Sequence, residues 1–396
     1  MKSSRARARV VETAPPQSRL IPGYFPSLDG LRFAACSGVI LQHSFGDAVI
    51  AADVGHPLHN FVVDVGATGV DVFFSLSGFL ITKLLLDEKS ERGRVDLLAF
   101  YLRRTLRIWP VYYAALLLAF GGAALLGDRF LRPFGGHVTR EFFEVALPAH
   151  LAFVGNVIGD ERLPTSVATL WSICVEEQFY LLFPILFVFS KRPRPVVVPA
   201  LSGIALSCAV RAWLVRTHGP IQHNLFAHAD NLLAGALLAQ ALHASPRTLT
   251  AILSRHTAIL EAIAVGALLA FNQWDAHRLD SVAEWVAFYL VSAAVTTFLV
   301  AVFALGRGPL GGLLADRRIR FLGRLTYAAY CFHTYAIVVV WVLLRRVRVT
   351  PWEMGALRTL AAVPIAMGIA YVVRITFEGW FLTLKRRFEM AGAHAE

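Results

Sequence analysis

Residues 168–189 read ATLWSICVEEQFYLLFPILFVF, and two adjacent carboxylates, Glu176 and Glu177, interrupt this otherwise mainly apolar run. At about 1.5 Å of rise per residue the run covers roughly 33 Å as a helix, enough for a hydrocarbon core of roughly 30 Å. Nine further stretches have a similar character: 31–50, 68–86, 108–126, 196–215, 225–243, 256–271, 284–305, 325–344 and 357–377. The span at 256–271 is the shortest. The apolar run Ala146–Ile158 holds Pro148, His150 and Asn156, so it suits a re-entrant or interfacial piece better than a crossing. The expected fold is therefore all-α, a polytopic transmembrane bundle of about ten spans plus one short segment that does not cross.

Composition agrees. Of 396 residues 56% are hydrophobic and only 16% charged, and mean hydropathy is +0.57; soluble domains carry about 25% charged residues. This excludes a soluble nucleic-acid-binding protein despite a net charge of +11, and also a disordered or disulfide-stapled chain. Cys36, Cys174, Cys208 and Cys331 stand in apolar stretches without a CxxC or Cys/His cluster. They read as small core residues, and no metal site is implied.

Residues 1–26 hold Lys2, Arg5, Arg7, Arg9 and Arg19 among several prolines and no apolar core, so a disordered basic tail is expected rather than a signal peptide. Lys and Arg then cluster at 89–107, 191–194, 247–255, 307–324 and 385–387, all on one face of a ten-span arrangement, while 51–67 has none. The positive-inside rule puts both termini in the cytoplasm. Arg345, Arg346 and Arg348 are the exception and would lie outside. No internal repeat is apparent.

Ionisable residues inside spans are candidate functional residues because charge is costly there. Arg32 and His43 lie in the first span, Arg104 and Arg107 at the start of the third, and Glu176 and Glu177 in the fourth. Asp71, Asp230 with Asn231, and His333 complete the set. Counting from span starts places His43 roughly 18 Å from one membrane face and Glu176 about 12 Å from the other. The two are expected to reach a similar level, where a carboxylate can orient a histidine general base or simply join two helices. Adjacent helical residues point about 100° apart, so spacing leaves open which glutamate faces inward. Arg104 and Arg107, three apart, share a helix face at a membrane mouth, suited either to phosphate or to membrane anchoring. Ser75, Ser77 and Gly78 read as close helix packing, His333 as a hydrogen-bonded core histidine, and GRGPLGG at 306–312 as a loop.

Six segments occur in order: SLDGLRFAACSGVILQH (27–43), GVDVFFSLSGFLIT (69–82), FYLRRTLRIWPVYY (100–113), TLWSICVEEQFYLLFP (169–184), HADNLLAGALLA (228–239) and LGRLTYAAYCFH (322–333). Together they resemble integral-membrane acyltransferase family 3, the bacterial O-acetylases of lipopolysaccharide, exopolysaccharide and related glycans. The resemblance covers about 27–388, taken as one membrane domain, with 1–26 and 389–396 as tails. It implies transfer of an acyl group, usually acetyl from acetyl-CoA, to a carbohydrate hydroxyl in the bacterial inner membrane. The implied catalytic residues are His43 with Glu176 or Glu177, and the implied donor-binding residues are Arg32, Arg104 and Arg107. Implied partners are acyl-CoA, a carbohydrate or glycolipid acceptor, membrane lipid and glycan-assembly proteins; no permanently bound cofactor is expected.

The chain departs from the family pattern at His228, where an Arg is common. It departs again at Glu378-Gly379-Trp380, where Glu-Arg-Pro is usual. The sequence ends at Glu396, so the hydrolase-like domain fused to some members is not expected here. A macrolide or lipid acceptor, and a proton-coupled transporter of a polar solute using buried His and Glu, are the alternatives.

Overall fold

The computed structural model describes residues 23–52, 58–158, 163–189, 194–219, 221, 223–274 and 279–384; side chains of 47–52 and of residue 227 are outside that description. The basic segment 1–22 and the tail 389–396 also lie outside it.

The described residues form helices and no strands. The principal ones are α1 (Pro26–Ala52), α2 (His59–Arg92) and α3 (Leu97–Leu126), then α4, the broken helix Thr165–Val188. They continue as α5 (Val197–Thr217), α6 (Leu225–Ala244), α7 (Pro246–Arg255), α8 (Thr257–Phe271), α9 (Val282–Leu305), α10 (Thr326–Leu344) and α11 (Pro351–Val373). By length and composition seven described helices can cross a membrane, and α7 with α8, bent by 85°, make an eighth span if counted together. Outside that count stand α1 and α6, which carry Arg32, Gln42, His43, His228, Asp230 and Asn231. Both are long enough, at 27 and 20 residues, to be weighed toward the expected ten.

Paired contacts fix the helix directions. On α1 and α10, Cys36 meets Thr326 and His43 meets His333, seven residues further along each, so the helices run parallel. Asp71 and Ser75 of α2 meet Ser292 and Thr296 of α9, again in parallel. Trp109 and Tyr101 of α3 meet Glu177 and Leu181 of α4 in reverse order, hence antiparallel. The chain thus reverses from span to span, as ten consecutive crossings require.

The short span of the sequence reading, 256–271, is the second half of the bent pair, because 246–255 is polar on one side and lies across its neighbour rather than extending it. The Ala146–Ile158 region is a sequence of short turns, including the apolar helix Phe142–Leu151, too short to cross.

Small residues allow the closest approaches. A Cβ on Gly78 would overlap the carbonyl of Leu232, and one on Gly235 the carbonyl of Ser75, so α2 and α6 touch backbone to backbone, a packing mode suited to lipid. One fully buried charge pair lies away from the cavity described below. Arg211 of α5 grips Asp230 of α6 through two bonds of 2.7 and 2.8 Å, both side chains fully buried, and its guanidinium lies 4.4 Å from the centroid of Tyr289. Asp230 is therefore a structural lock. The glycine-rich segment 306–312, read from sequence as a loop, turns into the short helix Pro309–Leu314, and Glu261 accepts from the N–H groups of Leu310 and Gly311 in its first turn at 3.0 and 2.8 Å.

Candidate active site

One cavity of about 860 Å³ enters the bundle. Its lining on α2 runs from Arg92 to Val70, a helical rise on the order of 30 Å. Three of the residues singled out as donor-binding, Arg32, Arg104 and Arg107, line it, and so does Glu176. Arg104 and Arg107 fall on the same wall because they are three residues apart on α3.

Most of the other basic groups that line the cavity have partners. Arg32 binds Asp29 at 3.0 Å, Arg103 lies 3.5 Å from Glu88, and Lys83 pairs with Asp87. Arg324 reaches Asp29 at 3.5 Å and Tyr24 at 3.1 Å, and Arg374 donates to the Arg324 carbonyl at 3.0 Å. By contrast, among the described residues neither Arg104 nor Arg107 forms a salt bridge. The Arg104 guanidinium lies 5.4 Å from the Tyr180 ring centroid and 5.9 Å from that of Phe100, which orient it without neutralising it.

Glu176 accepts from Ser77 Oγ at 2.7 Å and Tyr180 OH at 3.1 Å. The Ser77 hydroxyl, read from sequence as helix packing, is thus part of the cavity wall, while its neighbours Ser75 and Gly78 do pack against other helices. Glu177 points elsewhere and accepts from Trp109 Nε1 at 2.8 Å. Spacing left open which glutamate faces the cavity, and the structure places Glu176 there.

At the deep end the cavity is bounded by Phe73, Ser172 and Tyr330. Tyr330 OH meets Ser172 Oγ at 2.7 Å and donates to the Thr169 carbonyl at 3.0 Å. Directly behind this layer stand His333 and His43, with ring nitrogens 3.1 Å apart and His333 Nδ1 2.6 Å from the Tyr330 carbonyl oxygen. Gly46, with φ of +68°, kinks α1 just past His43.

The expected meeting of His43 with a glutamate is replaced by this histidine pair. Along the antiparallel α1 and α2, Gly38 lies against Val65 and Gly69 against Ala35 and Val39. Ser77 and its partner Glu176 are thereby level with the start of α1, on the order of 15 Å or more from His43. The depth count, made from the ends of apolar runs, missed the register that these helix contacts set. His228, the departure from the family pattern, lies 3.5 Å from Asp71 and against Phe74, Trp171 and Tyr289. Glu378, which precedes the other departure at Gly379 and Trp380, is buried at the end of the π-helical turn Arg374–Glu378.

Residues 25–375 match the family model described as acyltransferase domain. The chain belongs to this acyltransferase family. The acyltransferase is 26% identical over 331 residues to the peptidoglycan O-acetyltransferase OatA of Listeria monocytogenes, covering 80% of this chain and 50% of that protein. It is 25% identical over 334 residues to the O-acetyltransferase OatA of Staphylococcus aureus, with 80% and 51% covered. The chain spans about half the length of the curated relatives it matches. No solved structure matches it.

Proposed function

We propose that this acyltransferase moves an acetyl group from acetyl-CoA, bound on the cytoplasmic side of the inner membrane, to a carbohydrate hydroxyl. The observation that carries the reading is the pair Arg104 and Arg107, which line a deep cavity and form no salt bridge among the described residues, with Glu176 as a carboxylate of the same lining. The guanidinium fork of donors matches phosphate oxygens. The CoA phosphates would dock at these arginines and beside Arg32, and the pantetheine arm would run along the cavity toward Tyr330. The positive-inside rule supports assigning this basic mouth, and both termini, to the cytoplasm. The likeness to a peptidoglycan O-acetyltransferase supports a carbohydrate acceptor.

His43 is the proposed base, reached once the Tyr330–Ser172 layer parts. The acceptor hydroxyl oxygen bonds to the acyl carbon while its proton passes to a His43 ring nitrogen. The thioester C–S bond breaks, and the sulfur takes that proton as free thiol. An acyl-histidine relay would use the same residues, and single-turnover trapping distinguishes the two routes. Glu176 balances the guanidinium groups on the cavity wall.

The test is saturable binding of CoA to the purified, folded protein. Wild type is expected to bind. Arg104→Ala and Arg107→Ala are each expected to weaken binding by about 10- to 100-fold, the loss of a charge-assisted hydrogen bond. Folded wild type that binds no CoA contradicts the proposal and favours a transport role.

A further inference from the structure

We infer that His333 is a positioning residue, which fixes the proton of His43 on Nδ1 and turns its Nε2 lone pair toward the chemistry. This deepens the proposed function and rests on it. The argument follows from donors and acceptors alone. His333 Nδ1 is 2.6 Å from the carbonyl oxygen of Tyr330. A carbonyl oxygen can only accept, so that nitrogen carries hydrogen. In a neutral imidazole the other nitrogen is then an acceptor, and His333 Nε2 lies 3.1 Å from His43 Nδ1. His43 Nδ1 must therefore donate, and in the neutral ring the basic lone pair is on Nε2. The chain runs from His43 through His333 to a backbone carbonyl, whose position the α10 helix holds fixed.

The surroundings leave His333 little freedom to serve otherwise. Its side chain is fully buried, and its ring packs 5.6 Å from Tyr330 and 5.0 Å from His43, measured between centroids. The parallel register of α1 and α10, pinned two turns away where Cys36 meets the Thr326 carbonyl, keeps the two rings in step. A residue needed only to fill this space would be apolar, because a buried imidazole has two nitrogens to satisfy. Here one is satisfied by the helix and the other by the candidate base. This is the orienting role that a carboxylate fills in a serine-protease triad, with a neutral ring supplied in its place. A neutral partner brings no second charge into the bilayer.

The experiment combines imidazole 15N spectroscopy with kinetics on full-length protein in lipid nanodiscs. Histidine-labelled wild type is compared with His43→Ala for assignment, and with His333→Leu and His333→Gln. Glutamine places an acceptor oxygen near the position of the lost Nε2, whereas leucine has none. In wild type His43 is expected to be protonated at Nδ1 and bare at Nε2. His333→Leu is expected to populate the other His43 tautomer and to lower kcat for acetyl transfer by about 10²-fold. KM for acetyl-CoA stays unchanged, and His333→Gln recovers kcat to within about tenfold of wild type.

The inference is overturned if wild-type His43 carries its proton on Nε2, or if folded His333→Leu keeps full kcat. Should His333→Leu fail to fold, the wild-type tautomer and the glutamine variant still decide. Absence of acetyl transfer by wild type would count against the proposed function, while the tautomer, read without turnover, would still report on His333.

Discussion

Glu176 and Glu177 are neighbours in sequence with opposite surroundings. Glu176 lines the cavity and is held by Ser77 and Tyr180, whereas Glu177 turns to the indole of Trp109. The geometry assigns them different consequences on neutralisation. Glu176→Gln removes the carboxylate that faces the mouth arginines, so KM for the acyl donor is expected to change by about tenfold, the size of one charge-assisted hydrogen bond, with a smaller effect on kcat. Glu177→Gln is expected to leave both within about threefold, because the amide can still accept from Trp109. Steady-state kinetics of the two variants checks this, and a collapse of kcat in Glu177→Gln would contradict it. Much of the site was legible at this scale. Arg32, Arg104, Arg107 and Glu176 were singled out in sequence as charges within or at the ends of spans, and one cavity gathers them. His333 was read as a core histidine because its partner lies 290 residues away in the chain, and nothing in its own neighbourhood points to His43. Ser77 and Tyr180 were illegible for the same reason: a hydroxyl in a helix gives no sign of which helix will face it.

Among the helices, α2 is the one on which the site is assembled. It contributes wall residues from Val70 to Arg92, and its small residues let α1 and α6 close in on either side. Gly78 is the tightest of these contacts, with the Leu232 carbonyl occupying the place of a side chain. Gly78→Val is expected to force α2 and α6 apart at a cost of about 1–3 kcal/mol. The measurement is thermal unfolding in detergent, where a lowered midpoint is expected, and an unchanged midpoint would show that the two helices do not depend on this approach. The error in locating α4 also belongs to helices rather than to residues. Hydropathy marks where an apolar run begins, but not the register in which that helix packs against its neighbours. The bend between α7 and α8 was hidden likewise, since a short apolar stretch gives no indication of the amphipathic helix joined to it.

For the whole molecule, the concentration of arginines at one cavity mouth is what the proposed vectorial transfer requires. A donor with phosphates would enter from the basic end, and the proposed base His43 lies roughly 17 Å along the helix from Arg32. Ten spans were legible because each needs only a long apolar run, and the bilayer forbids most other ways of satisfying the backbone. What hydropathy could not supply is the order in which the spans pack, and hence that α1 and α10 meet to bring two histidines together. The central claim is acyl transfer through His43, and the most direct measurement is transfer of radiolabel from acetyl-CoA supplied to the cytoplasmic face of inside-out membrane vesicles. Wild-type vesicles are expected to place label in carbohydrate, and His43→Ala vesicles to do so about 10²- to 10⁴-fold more slowly while still binding CoA. Equal labelling by folded wild type and His43→Ala would contradict the account.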